Sequence, residues 1–298
     1  MRLMTCKYLG TLHVGVIQGT HIYLPALAMP WPHSMLDIID GGAVLMSELA
    51  LWVKSAPDSC RVPEAEVHVL APIPRPRKNV ICLGLNYADH AQESYAAQGK
   101  KVEIPQHPVV FTKAVTSVTG PFDDIPLDPH ITTQLDWEVE LAVVIGRGGR
   151  HIEEHNALDY VFGYTVINDV SARDIQFRHK QYFLGKSLDG TCPMGPCIVT
   201  ADEIPNPQSL SLRTWVNGVL KQSSTTQAQI FSVAQIIALL SRSLTLEPGD
   251  IIATGTPSGV GFARTPPEFL SSGDSVECEI EAIGRLRNRI ALVQYHPT

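Results

Sequence analysis

The spacing of apolar and polar residues changes along the chain, and in residues 1–70 it predicts two short strands followed by a helix. Apolar residues recur at helical spacing through residues 34–54, which predicts an amphipathic helix. Two short apolar runs before it, residues 9–17 and 20–24, are predicted to pair as a hairpin. Together these elements predict a small N-terminal α+β domain at residues 1–70.

From residue 71 onward the pattern is one of short strands and turns, in which strands outnumber helices. Three prolines crowd residues 71–79, which predicts an extended entry into a second domain at residues 71–298. Asn217-Gly218, flanked by apolar residues, predicts a type I′ hairpin turn. Because strands and helices do not alternate regularly, the predicted fold class is mixed α/β and mainly β. The predicted helices are residues 85–94 (with Asn86 as N-cap), 171–181 and 231–240.

Residues 135–146, LDWEVELAVVIG, combine acidic alternation with an apolar run. On a strand, Glu138 and Glu140 share one face and lie about 7 Å apart. Burial and mutual repulsion both oppose the ionisation of such a pair unless a cation is present. A solvated acidic strand edge is one interpretation of this pair. The other is that both glutamates supply oxygen ligands to a hard divalent metal.

Asp169 follows the apolar segment VFGYTVIN, where a strand is predicted to give way to a helix. A carboxylate at that point suits a third metal ligand, although on its own it would also suit a helix N-cap. Three carboxylates, with no Cys or His at metal spacing, favour a hard cation, and Mg²⁺ over Zn²⁺.

Polar residues elsewhere in the chain suggest general-base chemistry. His90 and Glu93 are three residues apart and share one face of a helix, so the carboxylate can orient the imidazole as a base. A surface ion pair is the alternative interpretation. Lys186, in GKSLDG, could approach an oxyanion, or it could be an exposed loop lysine.

Two further groups suggest anion binding. Arg173 and Gln176 are three residues apart and could clamp a substrate carboxylate, the alternative being surface pairing with Asp174. The glycine-rich segment 254–262 lacks the GK[ST] of a P-loop. Its backbone N–H groups and the Thr256 hydroxyl are nevertheless suited to an anion.

Composition narrows the class of partner. A formal net charge of −7 argues against nucleic acid and anionic membranes, so an anionic substrate needs local basic residues. Six scattered cysteines without CxxC indicate reduced thiols in an intracellular protein. With no signal-peptide pattern and no stretch of 18 apolar residues, we expect a soluble, cytoplasmic protein.

Taken in order, six segments resemble the fumarylacetoacetate hydrolase family and cover roughly residues 79–291. The resemblance implies a β-sandwich roll for the main domain and a homodimer. The segments are CLGLNYADHAQE, LDWEVELAVVIG, VFGYTVINDVSARDIQ, GKSLDGTCPMGP, LEPGDIIATGTPSGVG and GDSVECEIEAIGRLRN.

The resemblance also implies roles for individual residues. Lys180 stands where fumarylacetoacetate hydrolase itself has a substrate-contacting tyrosine, so the smaller acylpyruvase and oxaloacetate decarboxylase members are closer in pattern. The implied metal ligands are Glu138, Glu140 and Asp169, binding Mg²⁺, with Mn²⁺ or Ca²⁺ as alternatives. The implied catalytic residues are His90, Glu93 and Lys186, and the implied substrate-binding residues are Arg173, Gln176 and Thr256.

These residues predict metal-dependent cleavage of a C–C bond in a small 2-oxo acid through a stabilised enolate. Acylpyruvate-type hydrolysis and oxaloacetate-type decarboxylation both fit. The alternatives are an isomerase or hydratase of unsaturated 2-oxo-dicarboxylic acids, or an inactive ligand-binding scaffold. Residues 94–105, hereafter the lid, are predicted to set the choice of substrate, with Lys100, Lys101 or Lys113 meeting a second carboxylate.

Overall fold

The apolar runs fold into nineteen strands and five α-helices within residues 1–294, the part of the chain that the structure, a computed structural model, describes. The helices are α1 (Met35–Val53), α2 (Ala88–Ala97), α3 (Arg173–Arg178), α4 (Phe183–Lys186) and α5 (Val233–Ser243). The strands are β1 (Arg2–Tyr8), β2 (Thr11–Gln18), β3 (His21–Tyr23), β4 (Arg61–Pro63), β5 (His68–Leu70), β6 (Val80–Gly84), β7 (Val109–Lys113), β8 (Val118–Thr119), β9 (Ile125–Leu127), β10 (Leu135–Asp136), β11 (Val139–Ile145), β12 (Val161–Asn168), β13 (Ser171–Ala172), β14 (Cys192–Thr200), β15 (Ser211–Val216), β16 (Val219–Thr225), β17 (Ile251–Ala253), β18 (Ser275–Ile280) and β19 (Gly284–Leu292).

A twelve-stranded sheet carries β11 near its middle, between β12 and β17. Both faces of β11 are buried, which explains its unbroken apolar run. Leu141 and Val143 belong to a core shared with a second sheet. Ala142 and Val144 belong to another core, which includes Ile38 of α1. The strand therefore has no solvated edge along its length.

The second sheet has five strands in the order β16, β15, β18, β19, β9, and it packs its apolar residues into the same core as β11. The predicted fold class, mixed α/β and mainly β, is confirmed. The predicted hairpin turn is confirmed as well, because Asn217 and Gly218 both have positive φ angles, 51° and 76°, between β15 and β16.

The N-terminal residues extend the large sheet. Strand β1 pairs with β14 in antiparallel register, with Leu3 opposite Ile198. Helix α1 begins after Ser34, whose hydroxyl accepts a hydrogen bond from the Leu36 N–H, and it is interrupted at Gly42. The division into domains at residues 1–70 and 71–298 stays a prediction. Within residues 1–294, no helix is long and apolar enough to cross a membrane.

Helix α2 begins three residues later than predicted, and Asn86 is not its N-cap. The Asn86 side chain instead accepts a hydrogen bond from the Phe231 N–H and donates to the carbonyl oxygens of Phe231 and Thr254. A buried amide that satisfies three backbone groups at once is worth more here than one helix cap. Asn86 thus ties the start of α2 to the segment that leads into α5 and to the glycine-rich segment 254–262.

Candidate active site

Three buried carboxylates meet where β11 begins and β12 ends. Glu140 lies on β11, Glu138 lies one residue before that strand, and Asp169 lies one residue after β12. Because the two strands pair in antiparallel register, with Val139 opposite Asn168, their acidic ends come together. One ligand oxygen from each of the three acids lies within 4.8 Å of the others. The structure therefore brings the predicted metal ligands together.

Three cations surround this carboxylate cluster. Lys186, at the end of α4, places Nζ 2.8 Å from Glu138 Oε2 and 2.7 Å from Asp169 Oδ2. Lys113 Nζ lies 2.9 Å from Asp169 Oδ1, and Arg173 Nη2 lies 2.7 Å from Glu138 Oε1. All three cations are buried. Lys186 is therefore not an exposed loop lysine, and both Glu138 and Asp169 are neutralised by direct ion pairs.

Glu140 differs from Glu138 in its electrostatics. Burial raises the pKa of Glu138, but the charges of Lys186 and Arg173 outweigh burial and hold this pKa at about 2. Burial, and then the neighbouring carboxylates of Asp169 and Glu138, raise the pKa of Glu140 well above its usual value. Burial lowers the pKa of Lys186, but its acidic partners outweigh that effect and the net shift is upward.

The cluster fits a hard divalent cation. Its donors are all carboxylate oxygens, the ligand type that Mg²⁺, Mn²⁺ and Ca²⁺ prefer. Among the described residues, Glu140 has no ion pair, and its Oε2 accepts one hydrogen bond, from the Gly255 N–H at 2.7 Å. A dication beside the three acids would offset the repulsion that Glu140 experiences.

His90 and Glu93 form a direct pair on α2, as their spacing predicts. His90 Nδ1 lies 2.9 Å from Glu93 Oε1, and Glu93 in turn accepts hydrogen bonds from the Gly259 N–H. Because a carboxylate oxygen held in this way accepts, Nδ1 carries the proton and Nε2 is left free as a base. His90 Nε2 lies 3.5 Å from the Ser94 hydroxyl. The surface alternative is wrong for His90, which is only 5% exposed.

The glycine-rich segment 254–262 does bind anions, and they are carboxylates of the protein itself. Its backbone N–H groups hold residues from three different parts of the site. Gly255 donates to Glu140, Gly259 to Glu93, and Gly261 and Phe262 to Asp136. The segment thus fixes three groups relative to one another: the His90–Glu93 pair, the carboxylate cluster, and Asp136, the partner of Arg173.

The predicted substrate-binding residues lie at the site but have protein partners. Arg173 donates from Nε to Asp136 at 2.8 Å and from Nη1 to Gln176 Oε1 at 2.9 Å, and its guanidinium stacks on Phe262. The Thr256 hydroxyl accepts from Gln222 at 2.8 Å. Arg173 does not pair with Asp174. Direct contact of Arg173, Gln176 or Thr256 with a substrate stays a prediction.

A cavity of about 250 Å³ joins these groups. Of the predicted catalytic and metal-binding residues, Glu93, Glu140 and Asp169 do not line the cavity, and Lys180 is exposed and does not line it either. Leu83, Phe111 and Phe262 supply apolar wall, so the cavity suits a small acid with a short carbon chain. The predicted residues that line the cavity are His90, Lys100, Glu138, Arg173, Gln176, Lys186 and Thr256.

Sequence reasoning missed two residues that hold the site together. Asp136 binds Arg173 and three backbone N–H groups, and the alternation that singled out Glu138 and Glu140 already extends to it. Gln222, on β16, accepts from the Val139 N–H and the Thr214 hydroxyl, and it donates to Thr256 and Pro257. No pattern in the surrounding KQSST distinguishes Gln222 from an exposed polar residue.

The family comparison agrees with this geometry. The family described as "Fumarylacetoacetate (FAA) hydrolase C-terminal" matches residues 79–291, which include every residue of the site. The chain belongs to the fumarylacetoacetate hydrolase family. It is thus a member of an enzyme family, and the resemblance inferred from the six segments is confirmed.

Curated relatives of this family member carry a more specific name. "Oxaloacetate tautomerase YisK" of Bacillus subtilis (strain 168) is 49% identical over 265 residues, 87% of each chain. "Oxaloacetate tautomerase Fahd2a, mitochondrial" of Rattus norvegicus is 44% identical over 296 residues, covering 97% of this chain and 91% of the relative.

Solved structures match over nearly the whole chain. A fumarylacetoacetate hydrolase from psychrophilic Exiguobacterium antarcticum is 42% identical with a TM-score of 0.85, covering 98% of this chain and 100% of its own. A maleylpyruvate hydrolase from Sphingobium sp. SYK-6, solved with manganese(II) and pyruvate, is 29% identical with a TM-score of 0.79, covering 99% and 100%. The fold thus accommodates hydrolases as well as the tautomerases.

Proposed function

We propose that the protein is an oxaloacetate tautomerase, which interconverts the keto and enol forms of this 2-oxo dicarboxylic acid. The observation that carries the proposal is that the oriented base His90 lines the same small cavity as the ammonium of Lys186. Identities of 44–49% to named oxaloacetate tautomerases over most of the chain support this substrate. The reaction shares its enolate with the predicted cleavage, but no C–C bond breaks.

Tautomerisation needs a proton to leave carbon 3 and another to reach the oxygen of carbon 2. His90 Nε2 takes the proton from carbon 3, because Glu93 keeps the Nδ1–H in place and stabilises the imidazolium that forms. The backbone N–H of Gly259 fixes Glu93, so the base does not rotate away from the cavity. The imidazolium then gives its Nε2 proton to the oxygen of carbon 2, which forms the enol and restores neutral His90 with no net change in protonation.

Lys186 stabilises the negative charge that develops on the oxygen of carbon 2. Its ammonium lines the cavity and stays protonated, because two buried carboxylates raise its pKa. A divalent cation held by Glu138, Glu140 and Asp169 would supply Lewis-acid stabilisation of the same charge. Mg²⁺ is the proposed cation, with Mn²⁺ or Ca²⁺ as alternatives, and all three suit the oxygen donors.

The test follows the ultraviolet absorbance of enol-oxaloacetate with purified protein, before and after chelation and after Mg²⁺ is restored. We expect the enol absorbance to decay faster than the uncatalysed rate. This acceleration should be lost on chelation and should return when Mg²⁺ is restored. Proton NMR of the same samples should show oxaloacetate conserved in mass. If the enol still decays at its uncatalysed rate in the presence of the wild-type protein, the proposal is contradicted.

Cleavage is the second candidate, and the structural match to a maleylpyruvate hydrolase with bound manganese and pyruvate favours it. The same base could activate water for acylpyruvate-type hydrolysis, and the same charge stabilisation would serve decarboxylation. The NMR experiment separates these reactions, because decarboxylation of oxaloacetate yields pyruvate. A homodimeric state and a cytoplasmic location stay predictions, and the rat relative is named as mitochondrial.

A further inference from the structure

Four cationic or basic side chains line the cavity, and one of them has no acidic partner. Lys186 and Arg173 are each paired with two carboxylates, and His90 is paired with Glu93. Lys100 is the fourth, and within residues 1–294 no carboxylate pairs with it. Its charge is thus available to an anion that enters the cavity.

The position of Lys100 is set by the end of α2. Gly99 has a left-handed φ of 64°, the Gly99 N–H donates to Ala96 O, and the Lys100 N–H donates to Tyr95 O at 2.9 Å. This pair of hydrogen bonds is the Schellman motif, which reverses the chain at a helix C-terminus. The motif turns Lys100 back toward the helix that carries His90.

Side-chain contacts hold the Lys100 ammonium on the cavity side. Lys100 Nζ donates to Gln98 Oε1 at 2.6 Å, and Gln98 Nε2 donates to Ser94 O at 3.1 Å. Ser94 and Gln98 also line the cavity. Lys101, the next residue, carries the same charge but does not line it. An exposed cation held at the rim by a neutral amide can change partners without leaving a buried charge unpaired.

We infer that Lys100 binds the distal carboxylate of a dicarboxylic 2-oxo acid and so sets the specificity of the site for dicarboxylates. The inference rests on the proposed function, in which the substrate has a second carboxylate at carbon 4. Arg173 is not suited to this task, because Asp136 and Glu138 already offset its charge. Lys113 is not suited either, since it is fully buried against Asp169.

The experiment compares two stable ligands that differ only in the distal carboxylate. Malate and lactate are the 2-hydroxy counterparts of oxaloacetate and pyruvate, and calorimetry gives their dissociation constants without turnover. The variants are Lys100→Gln, the conservative Lys100→Arg, and Lys101→Gln as the matched control for net charge. The ligand affinities of the wild type and of all variants are measured in the presence of Mg²⁺. The rate of oxaloacetate tautomerisation is measured on the same proteins.

We expect the wild type to prefer malate over lactate and Lys100→Gln to lose about tenfold of that preference. Lys100→Arg should keep most of the preference, and Lys101→Gln should match the wild type. An unchanged preference in Lys100→Gln, an equal weakening of both ligands, or the same loss in Lys101→Gln would overturn the inference.

The two proposals fail separately. If the wild type tautomerises oxaloacetate but Lys100→Gln keeps its ligand preference, the role of Lys100 is wrong and the proposed function stands. If the preference falls as expected but neither the wild type nor any variant turns over oxaloacetate, the dicarboxylate site stands and the reaction is wrong.

Discussion

The floor of the site, made of Glu138, Glu140, Asp169 and Lys186, is built differently from the lid. The charged side chains of the floor are buried and held by ion pairs or backbone N–H groups. In the lid, residues 101–105 lie outside helices and strands and are mostly exposed, and one helix cap positions Lys100.

This difference assigns the chemical step to the floor and the choice of substrate to the lid. A buried charged group that loses its partner leaves an uncompensated charge, so changes in the floor carry large penalties. An exposed cation on the lid is screened by water, and its loss costs little stability. We therefore expect changes in the floor to abolish turnover, and changes in the lid to alter which acid binds.

The largest effect is expected from Glu140→Gln in the floor. The amide oxygen can still accept from the Gly255 N–H, but the change removes one of three charges facing the proposed cation. We expect turnover to fall about 1000-fold and Mg²⁺ binding, measured by calorimetry, to weaken in parallel. Glu48→Gln, at an exposed position on α1, is the matched control. Retained Mg²⁺ affinity in Glu140→Gln would remove this carboxylate from the metal site.

His90→Asn tests the junction between the floor and the lid. The change removes the base while leaving every carboxylate of the floor in place, so turnover should fall about 100-fold. Mg²⁺ affinity should stay at the wild-type value, which distinguishes this variant from Glu140→Gln. His155→Asn, at an exposed position, controls for loss of an imidazole. A parallel loss of Mg²⁺ binding in His90→Asn would show that the base and the metal site are not independent.

The floor could be predicted from the sequence because local patterns encode it. Strand alternation placed Glu138 and Glu140 together, and the strand end placed Asp169 beside them. Helical spacing paired His90 with Glu93. Each of these relations depends on the geometry of one element or of two neighbouring strands, which a sequence pattern can express.

Contacts between distant elements could not be predicted in this way. Gln222 reaches the site from the second sheet, and its role depends on how the two sheets pack. The same limit applies to Arg173, whose expected substrate clamp overlooked Asp136 as its partner. In both cases the deciding partner is far away in sequence, and no spacing links the two residues to each other.

Gln222→Ala tests whether the floor depends on the second sheet. The change leaves the Val139 N–H and the Thr214 and Thr256 hydroxyls without their partner in a buried setting. We expect a loss of about 2 kcal/mol in the free energy of unfolding, measured in urea, and about a tenfold loss of turnover. Gln227→Ala, at an exposed position on the same polypeptide stretch, should change neither. A destabilised variant with wild-type turnover would confine Gln222 to a structural role.

Gly99→Ala is expected to have the smallest effect and to confine it to the lid. A Cβ at residue 99 meets no atom within 4 Å, so the cost is the backbone strain of φ +64°, roughly 1–2 kcal/mol. Because relief of that strain loosens the Schellman motif, Lys100 should lose part of its alignment, and the preference for malate over lactate should fall about threefold. Gly10→Ala introduces the same kind of strain, at φ +80° with open space, in the distant turn between β1 and β2. If both variants lower the melting temperature alike and neither changes the ligand preference, the helix cap does not position Lys100, and the lid selects its substrate by another contact.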